Sequence, residues 1–177
     1  MKHLLAVGSA GFLIIPTLGP LRAQATSGGS LNEGQLYSLY AARHAATVQF
    51  AELATARGSD GDVRKHAATL ARANQAAADN LRKVARDRHL TLVPPAHDTT
   101  TMLLARATDL LRDKTGRAFD STWVSLAYDW LSTLILDNNT HVKKQLSEAS
   151  LETIARAHTS WLLPQSVEVA KLKKKFT

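Results

Sequence analysis

Apolar residues recur at nearly helical spacing along residues 31–57 and again along residues 62–88. A period close to 3.6 predicts an amphipathic helix over each segment. Ser30 followed by Glu33 has the pattern of a capping box, which predicts that the first helix begins at Leu31. A Gly-Ser-Asp-Gly run separates the two helices. The second helix is rich in alanine, the residue with the highest intrinsic helix propensity.

Further helical segments follow the Pro94-Pro95 pair. Because proline cannot continue the hydrogen-bond ladder of a helix, the pair predicts a loop over residues 92–98. A short helix is predicted over residues 99–113. A last helix is predicted from near Ser150 into the lysine-rich C-terminus, where positive charge suits the negative end of the helix dipole.

The fourth predicted helix is capped by Asp120 or Ser121 and extends towards Leu146. Its residues 121–136 are apolar, but Asp129 interrupts them, which favours a buried core helix over a membrane span. The chain has no pattern typical of strands. The sequence therefore predicts an all-α fold: an antiparallel four-helix bundle with a short extra helix between helices two and four.

The N-terminus has the three parts of a secretory signal peptide: a basic tip, an apolar run from Leu4 to Leu18 and the small-x-small site Ala23-Gln24-Ala25. We expect a signal peptide over residues 1–25, a flexible lead-in over 26–30 and a helical-bundle domain over 31–177. The alternative is an uncleaved membrane anchor. The glycines and prolines in the run, and its short length, disfavour it.

Charge and composition exclude several classes of function. Cleavage would remove Lys2 and Arg22 and lower the formal charge from +7 to +5. This charge indicates mild attraction to acidic surfaces and not a dedicated nucleic-acid binder. The sequence contains no cysteine, which excludes disulfides, thiolate metal sites and cysteine nucleophiles.

Motifs for chemistry are sparse. The chain has no Glu-x-x-His or His-x-x-x-His metal motif, no Gly-x-Ser-x-Gly elbow and no phosphate-binding loop. Asp137 and His141 are the best remaining pair of metal ligands, since residues i and i+4 share a helix face. The favoured interpretation of this pair is an ion pair or hydrogen bond at the surface, and the metal site is the alternative. Tyr40 and His44 have the same spacing, which favours a partly buried polar contact over a catalytic unit.

Two other groups of residues have both a functional and a structural interpretation. The basic cluster Lys171, Lys173, Lys174 and Lys175 could contact an anionic envelope surface, where each lysine contributes roughly 1 kcal/mol. A solvated helix end is the favoured interpretation. The three tryptophans occupy core-like positions, which favours packing over a ligand cage; they are Trp123, Trp130 and Trp161.

Several segments resemble a known family. They are Gln49–Ala54 in helix one, His66–Leu81 in helix two, the Gly-x-x-Phe-Asp segment 116–120 before helix four, and Leu163-Pro164 in the last helix. In this order they resemble the exported, ferritin-like family of unknown function numbered forty-one forty-two, whose members are often labelled outer membrane proteins. The resemblance implies a ferritin-like bundle facing the periplasm and no established activity.

The chain departs from the family at the positions that the resemblance marks as a site. Family members typically carry a Glu in helix one, Asp-His pairs in helices two and four, and a His after the Leu-Pro. The equivalent residues here are Gln49, Asn74, Asp129, Trp130 and Val169. Valine has no lone pair and the Trp indole is only a donor. We therefore expect no metal and no cofactor in the core.

The favoured hypothesis is an exported, periplasmic helical-bundle protein that binds an envelope component or a protein partner and is not an enzyme. One alternative is a metal-binding ferritin-like enzyme or storage protein. Another is a structural factor of the envelope stress response. We expect no nucleic-acid partner and no transmembrane span after signal cleavage.

Overall fold

The computed structural model describes residues 30–96 and 98–177. The predicted signal peptide and most of the predicted lead-in lie outside the described residues. Five α-helices account for most of this part of the chain: α1 (Glu33–Arg57), α2 (Gly61–Asp87), α3 (Thr100–Leu111), α4 (Gly116–Asp137) and α5 (Ser150–Lys173). The all-α prediction is confirmed, and the short helix α3 lies between the second and fourth helices as expected.

Helix α1 begins two residues later than predicted. Its N-cap is Asn32, whose side chain accepts a hydrogen bond from the Gln35 N–H at 2.9 Å, while the Gln35 side chain accepts from the Asn32 N–H at 3.1 Å. This reciprocal pair is the capping box. The predicted box of Ser30 and Glu33 is therefore wrong, because a second matching pair lies two residues further along.

Contacts between helices show how the chain runs. Helix α1 lies antiparallel to α2, since Gly34 at its start packs so closely on Thr91, just beyond α2, that a Cβ there would collide with the Thr91 carbonyl. It is also antiparallel to α4, because the Tyr40 hydroxyl donates to Asn138 and the Trp123 Nε1 donates to the Phe50 carbonyl. Helices α2 and α4 therefore run in the same direction.

Helix α3 makes this topology possible. Its first residues lie beside Arg43, and its last carbonyls, of Leu111 and Arg112, accept hydrogen bonds from the Arg57 guanidinium at 2.9 Å. The helix thus returns the chain along α1 from the end where α2 stops to the end where α4 begins. Helix α5 then lies antiparallel to α2, with Lys175 at Asp62 and Gln165 at Asn74.

The main core is formed by all five helices, with Ala107 and Leu111 contributed by α3, and contains stacked aromatic rings. Phe50 stacks on Trp123 and on Trp130, with ring centroids 5.4 and 5.7 Å apart. Both tryptophans are buried, as the packing interpretation requires. Leu53 and Leu81 are only half-buried at the margin of the core, because the adjacent small or aromatic residues take the innermost positions.

Helix α4 begins at Gly116, which has a φ of +53° that glycine adopts without strain. The predicted cap at Asp120 or Ser121 is wrong, since both residues lie inside the helix. The buried Asp120 carboxylate instead accepts hydrogen bonds from the Ser59 N–H at 3.0 Å and the Asp60 N–H at 2.9 Å, and from the Ser59 hydroxyl. It therefore holds the turn between α1 and α2.

Beyond Asp137 the chain continues through a π-helical turn (Asn138–Val142) and a 3-10 turn (Lys143–Gln145). Leu146 then pairs with Leu31, where the Ser147 N–H donates to the Leu31 carbonyl at 3.0 Å. Within the described residues, none of the helices is both long and apolar enough to cross a membrane.

Candidate ligand-binding groove

A groove of about 560 Å³ lies between α2 and α5, within the range of small-molecule sites. On α2 it is lined by Asp62, Lys65, His66, Thr69, Leu70 and Ala73. On α5 and just beyond its end it is lined by Pro164, Gln165, Glu168, Lys171, Leu172 and Lys175. Pro164 lies inside α5 at the groove and has no N–H to complete the helix ladder.

His66 forms part of the groove wall and also reaches the core. Its ring lies edge-on to Trp123 with centroids 6.4 Å apart, and its Nε2 atom is buried without a hydrogen-bond partner. Burial lowers the pKa of His66 below its ordinary value, while the nearby Glu168 carboxylate opposes this shift. Above its ordinary pKa, the imidazole is therefore a neutral group beside the charged residues of the groove.

The basic cluster lies at one end of this groove and is largely paired within the molecule. Lys171 contacts Glu168 at 2.6 Å, and Lys175 contacts both Asp60 and Asp62 at 2.8 Å. Lys173 lies over the Tyr128 ring at 4.6 Å. Of the four predicted anion contacts, only Lys174 is left without such a partner in the described structure.

The ion pairs at this end of the groove shift the pKa values of the groups involved. Hydrogen bonding to Lys175 lowers the pKa of the Asp60 carboxyl, and Asp60 in turn raises the pKa of Lys175. Hydrogen bonding to Lys171 likewise lowers the pKa of Glu168. The cluster therefore presents alternating charges and not a continuous positive surface.

The five family-site equivalents differ in burial. Asn74, Trp130 and Val169 are buried, Asp129 is half-buried and Gln49 is exposed. The buried polar atoms have found partners within the fold. The Trp130 Nε1 donates to the Thr47 hydroxyl at 2.9 Å, and Asn74 contacts residues that the resemblance did not mark.

Asn74 lies at the centre of a polar contact that the sequence did not reveal. Its Oδ1 lies 2.9 Å from His44 Nδ1, and its Nδ2 donates to the Leu70 carbonyl at 2.8 Å and to Gln165 Oε1 at 3.1 Å. Gln165 also lines the groove. The only sequence signal that Asn74 faces inward is its position four residues after Leu70, because residues i and i+4 share one face of a helix.

Two buried histidines, His44 and His158, lie in one aromatic cluster between α1 and α5. His158 stacks on Tyr40 with centroids 3.8 Å apart, and His44 lies edge-on to both His158 and Trp161, at 5.0 and 4.5 Å. Tyr40 and His44 are thus joined through His158 and not by direct pairing. Burial raises the pKa of Tyr40 and lowers that of His44.

His158 is the more strongly perturbed of the two. Burial lowers its pKa well below the ordinary value, and the neighbouring His44 and Arg43 lower it further. Its Nε2 is buried without a hydrogen-bond partner. The cluster is therefore an environment that disfavours additional positive charge.

The predicted pair of Asp137 and His141 is present, with His141 Nδ1 3.1 Å from Asp137 Oδ1. The sequence missed the third member, Arg43, whose Nη2 pairs with the other Asp137 oxygen. The guanidinium already neutralises this carboxylate, which fits the ion-pair alternative. Within residues 30–96 and 98–177, no three His, Asp or Glu side chains come together as a candidate metal site.

The fold and site define an all-α bundle with an open groove between two of its helices. The family model described as Domain of unknown function (DUF4142) matches residues 19–171. This match covers most of the chain, so the chain belongs to that family, as the resemblance predicted. Comparison with curated proteins and with solved structures finds no match.

Proposed function

We propose that this chain is an exported, non-enzymatic binding protein of the cell envelope, and that the groove between α2 and α5 is its binding site. The groove is the observation that carries the proposal, since it combines an open volume of about 560 Å³ with apolar walls and charged groups at one end. Apolar walls with a few polar groups are typical of ligand sites.

Export is supported by the sequence of residues 1–25. We also propose that the bundle is ferritin-like. The support is that α2 and α4 run in the same direction, which requires one long connection between the two helical hairpins. The connection here includes α3.

The core gives no support to the alternative of a metal-binding enzyme or storage protein. Asp137 forms an ion pair with Arg43, and the Asn74 amide forms hydrogen bonds with His44 and Gln165. A cation at either place would have to displace these contacts. The experiment below also tests the remaining alternative, a structural factor of envelope stress, which predicts no saturable binding in the groove.

The experiment is a binding assay of the mature chain on envelope fractions of the expressing bacterium. The proposal expects saturable retention that is lost when the groove is filled by Ala73→Trp. The matched control is Ala76→Trp, which adds the same side chain at an exposed position of α2 that does not line the groove. Retention that is non-saturable, or equal in both variants, would contradict the proposal.

A further inference from the structure

The two ends of the groove differ in character. The antiparallel pairing of α2 with α5 places Lys175 at Asp62 at one end and Gln165 at Asn74 towards the other. The charged residues that line the groove therefore gather at the first end. The residues nearer the second end are apolar or uncharged, and include Leu70, Ala73 and Pro164.

One lysine at the charged end has no ion-pair partner within the described residues. Three lysines and two carboxylates line the groove, and the Asp60 carboxylate lies just outside it. Lys171 is matched by Glu168, and Lys175 by Asp62 together with Asp60 outside the groove. Lys65 has no carboxylate partner in the described structure, and it is exposed at the rim. A ligand that placed one negative charge here would complete the local pairing.

The groove is also elongated. Its lining on α2 runs from Asp62 to Ala73, and at 1.5 Å per residue this spans about 16 Å. It lies between only two helices, so its shape suits one extended chain. Leu70 and Leu172 provide apolar contact along the length, and the charged rim lies at one end.

We infer that the groove binds a single-chain anionic amphiphile, with its negative head group beside Lys65 and its hydrocarbon chain along Leu70 and Ala73. This inference rests on the proposed binding function and names the chemical class of the ligand. The positively charged mature chain adds long-range attraction for an anionic head group.

The test is calorimetric titration of the full mature chain with decanoate, decyl maltoside and decyltrimethylammonium, each below its critical micelle concentration. Decanoate should bind most tightly, and its affinity should fall as salt rises. Across octanoate, decanoate and dodecanoate, each added methylene should strengthen binding about two- to fourfold.

Two pairs of variants locate the site. Lys65→Gln should weaken decanoate binding about fivefold, the effect of one lysine near an anionic group, and Lys65→Glu should weaken it further. Lys144→Glu is the charge-matched control, because Lys144 is exposed beyond α4 at the other end of the bundle. Ala73→Trp should abolish binding, whereas Ala76→Trp should leave it intact.

The outcomes separate the two levels of the proposal. If the three ligands bound equally and Ala73→Trp still abolished their binding, the inference of an anionic ligand would be overturned. The groove would still be a binding site. Absence of any titrable binding to the wild-type chain would overturn the inference, and retention on envelope fractions would then decide the proposed function separately. Because Lys65 is exposed, its variants remain informative even if Ala73→Trp fails to fold.

Discussion

Lowering the pH from 7.5 to 5.5 should destabilise this bundle through His44 and His158. Both are buried, with 3% and 7% of their surface exposed, and burial lowers both pKa values. In the unfolded chain each imidazole has its ordinary pKa of 6.5 and gains a proton below it. The unfolded state then binds more protons than the folded state, so stability is complete above that pH and falls as the pH drops.

The magnitude follows from this difference in bound protons. A histidine that stays neutral in the fold lowers the free energy of unfolding by about 1.4 kcal/mol between pH 7.5 and 5.5, so the two together lower it by at most about 2.7 kcal/mol. This is a large part of the 5–15 kcal/mol typical of a domain. Most carboxylates remain ionised at pH 5.5, since their ordinary pKa values are near 4.

Urea unfolding at several pH values, followed by circular dichroism, measures the loss. His158→Phe keeps an aromatic ring against Tyr40 but cannot be protonated, so it should remove a large part of the pH dependence, and His44 together with the half-buried His66 accounts for the rest. The control is His89→Asn, at an exposed position with a φ of 56° that asparagine tolerates. If the free energy of unfolding fell equally in the wild-type chain and in His158→Phe between pH 7.5 and 5.5, the assignment of the pH dependence to the buried histidines would be refuted.

Four further predictions test other parts of the molecule. Asp120→Ala should lower the free energy of unfolding by about 2–3 kcal/mol, because it removes the buried carboxylate that accepts from the N–H groups of the α1–α2 turn; Asp120→Asn should cost less, and chemical denaturation compares them. Phe50→Ala should cost about 3–5 kcal/mol, since Phe50 is fully buried between two tryptophans, and a loss below 1 kcal/mol would contradict this packing. Intact-mass measurement of the periplasmic protein should show Thr26 as the first residue, and a protein that retains Met1 in a membrane fraction would contradict the export proposal. Elemental analysis after dialysis should find no near-stoichiometric iron, zinc, copper or manganese; a metal that disappears on Asp137→Ala or His141→Ala would reverse this expectation.

The sequence predicted the helices well because their period is a local property. Four of the five begin or end within a residue or two of the predicted positions. The cap of α1 was misassigned because two overlapping segments both satisfy the capping-box pattern, and only packing selects Asn32 over Ser30. The start of α4 was misplaced because the partners of Asp120 lie about 60 residues earlier in the chain.

The candidate site was less accessible to prediction. The groove exists because α2 and α5 face each other, and no local pattern states which helices become neighbours. The lysine cluster was recognised as basic, but its pairing with Asp60, Asp62 and Glu168 depends on the same placement. Arg43 was missed as the partner of Asp137 because 94 residues separate them in the chain.

The clamp formed by Asp120 on the turn at Ser59 and Asp60 has a consequence for the order of folding. Helices α1 and α2 are consecutive and can pair through local contacts, whereas the clamp waits until α4 has arrived from about 60 residues away. Contacts that close such long loops tend to form late. Loss of the Asp120 carboxylate should then accelerate unfolding far more than it slows refolding. The Gly-x-x-Phe-Asp segment, which contains Asp120, would therefore slow the unfolding of a helical hairpin that has already formed.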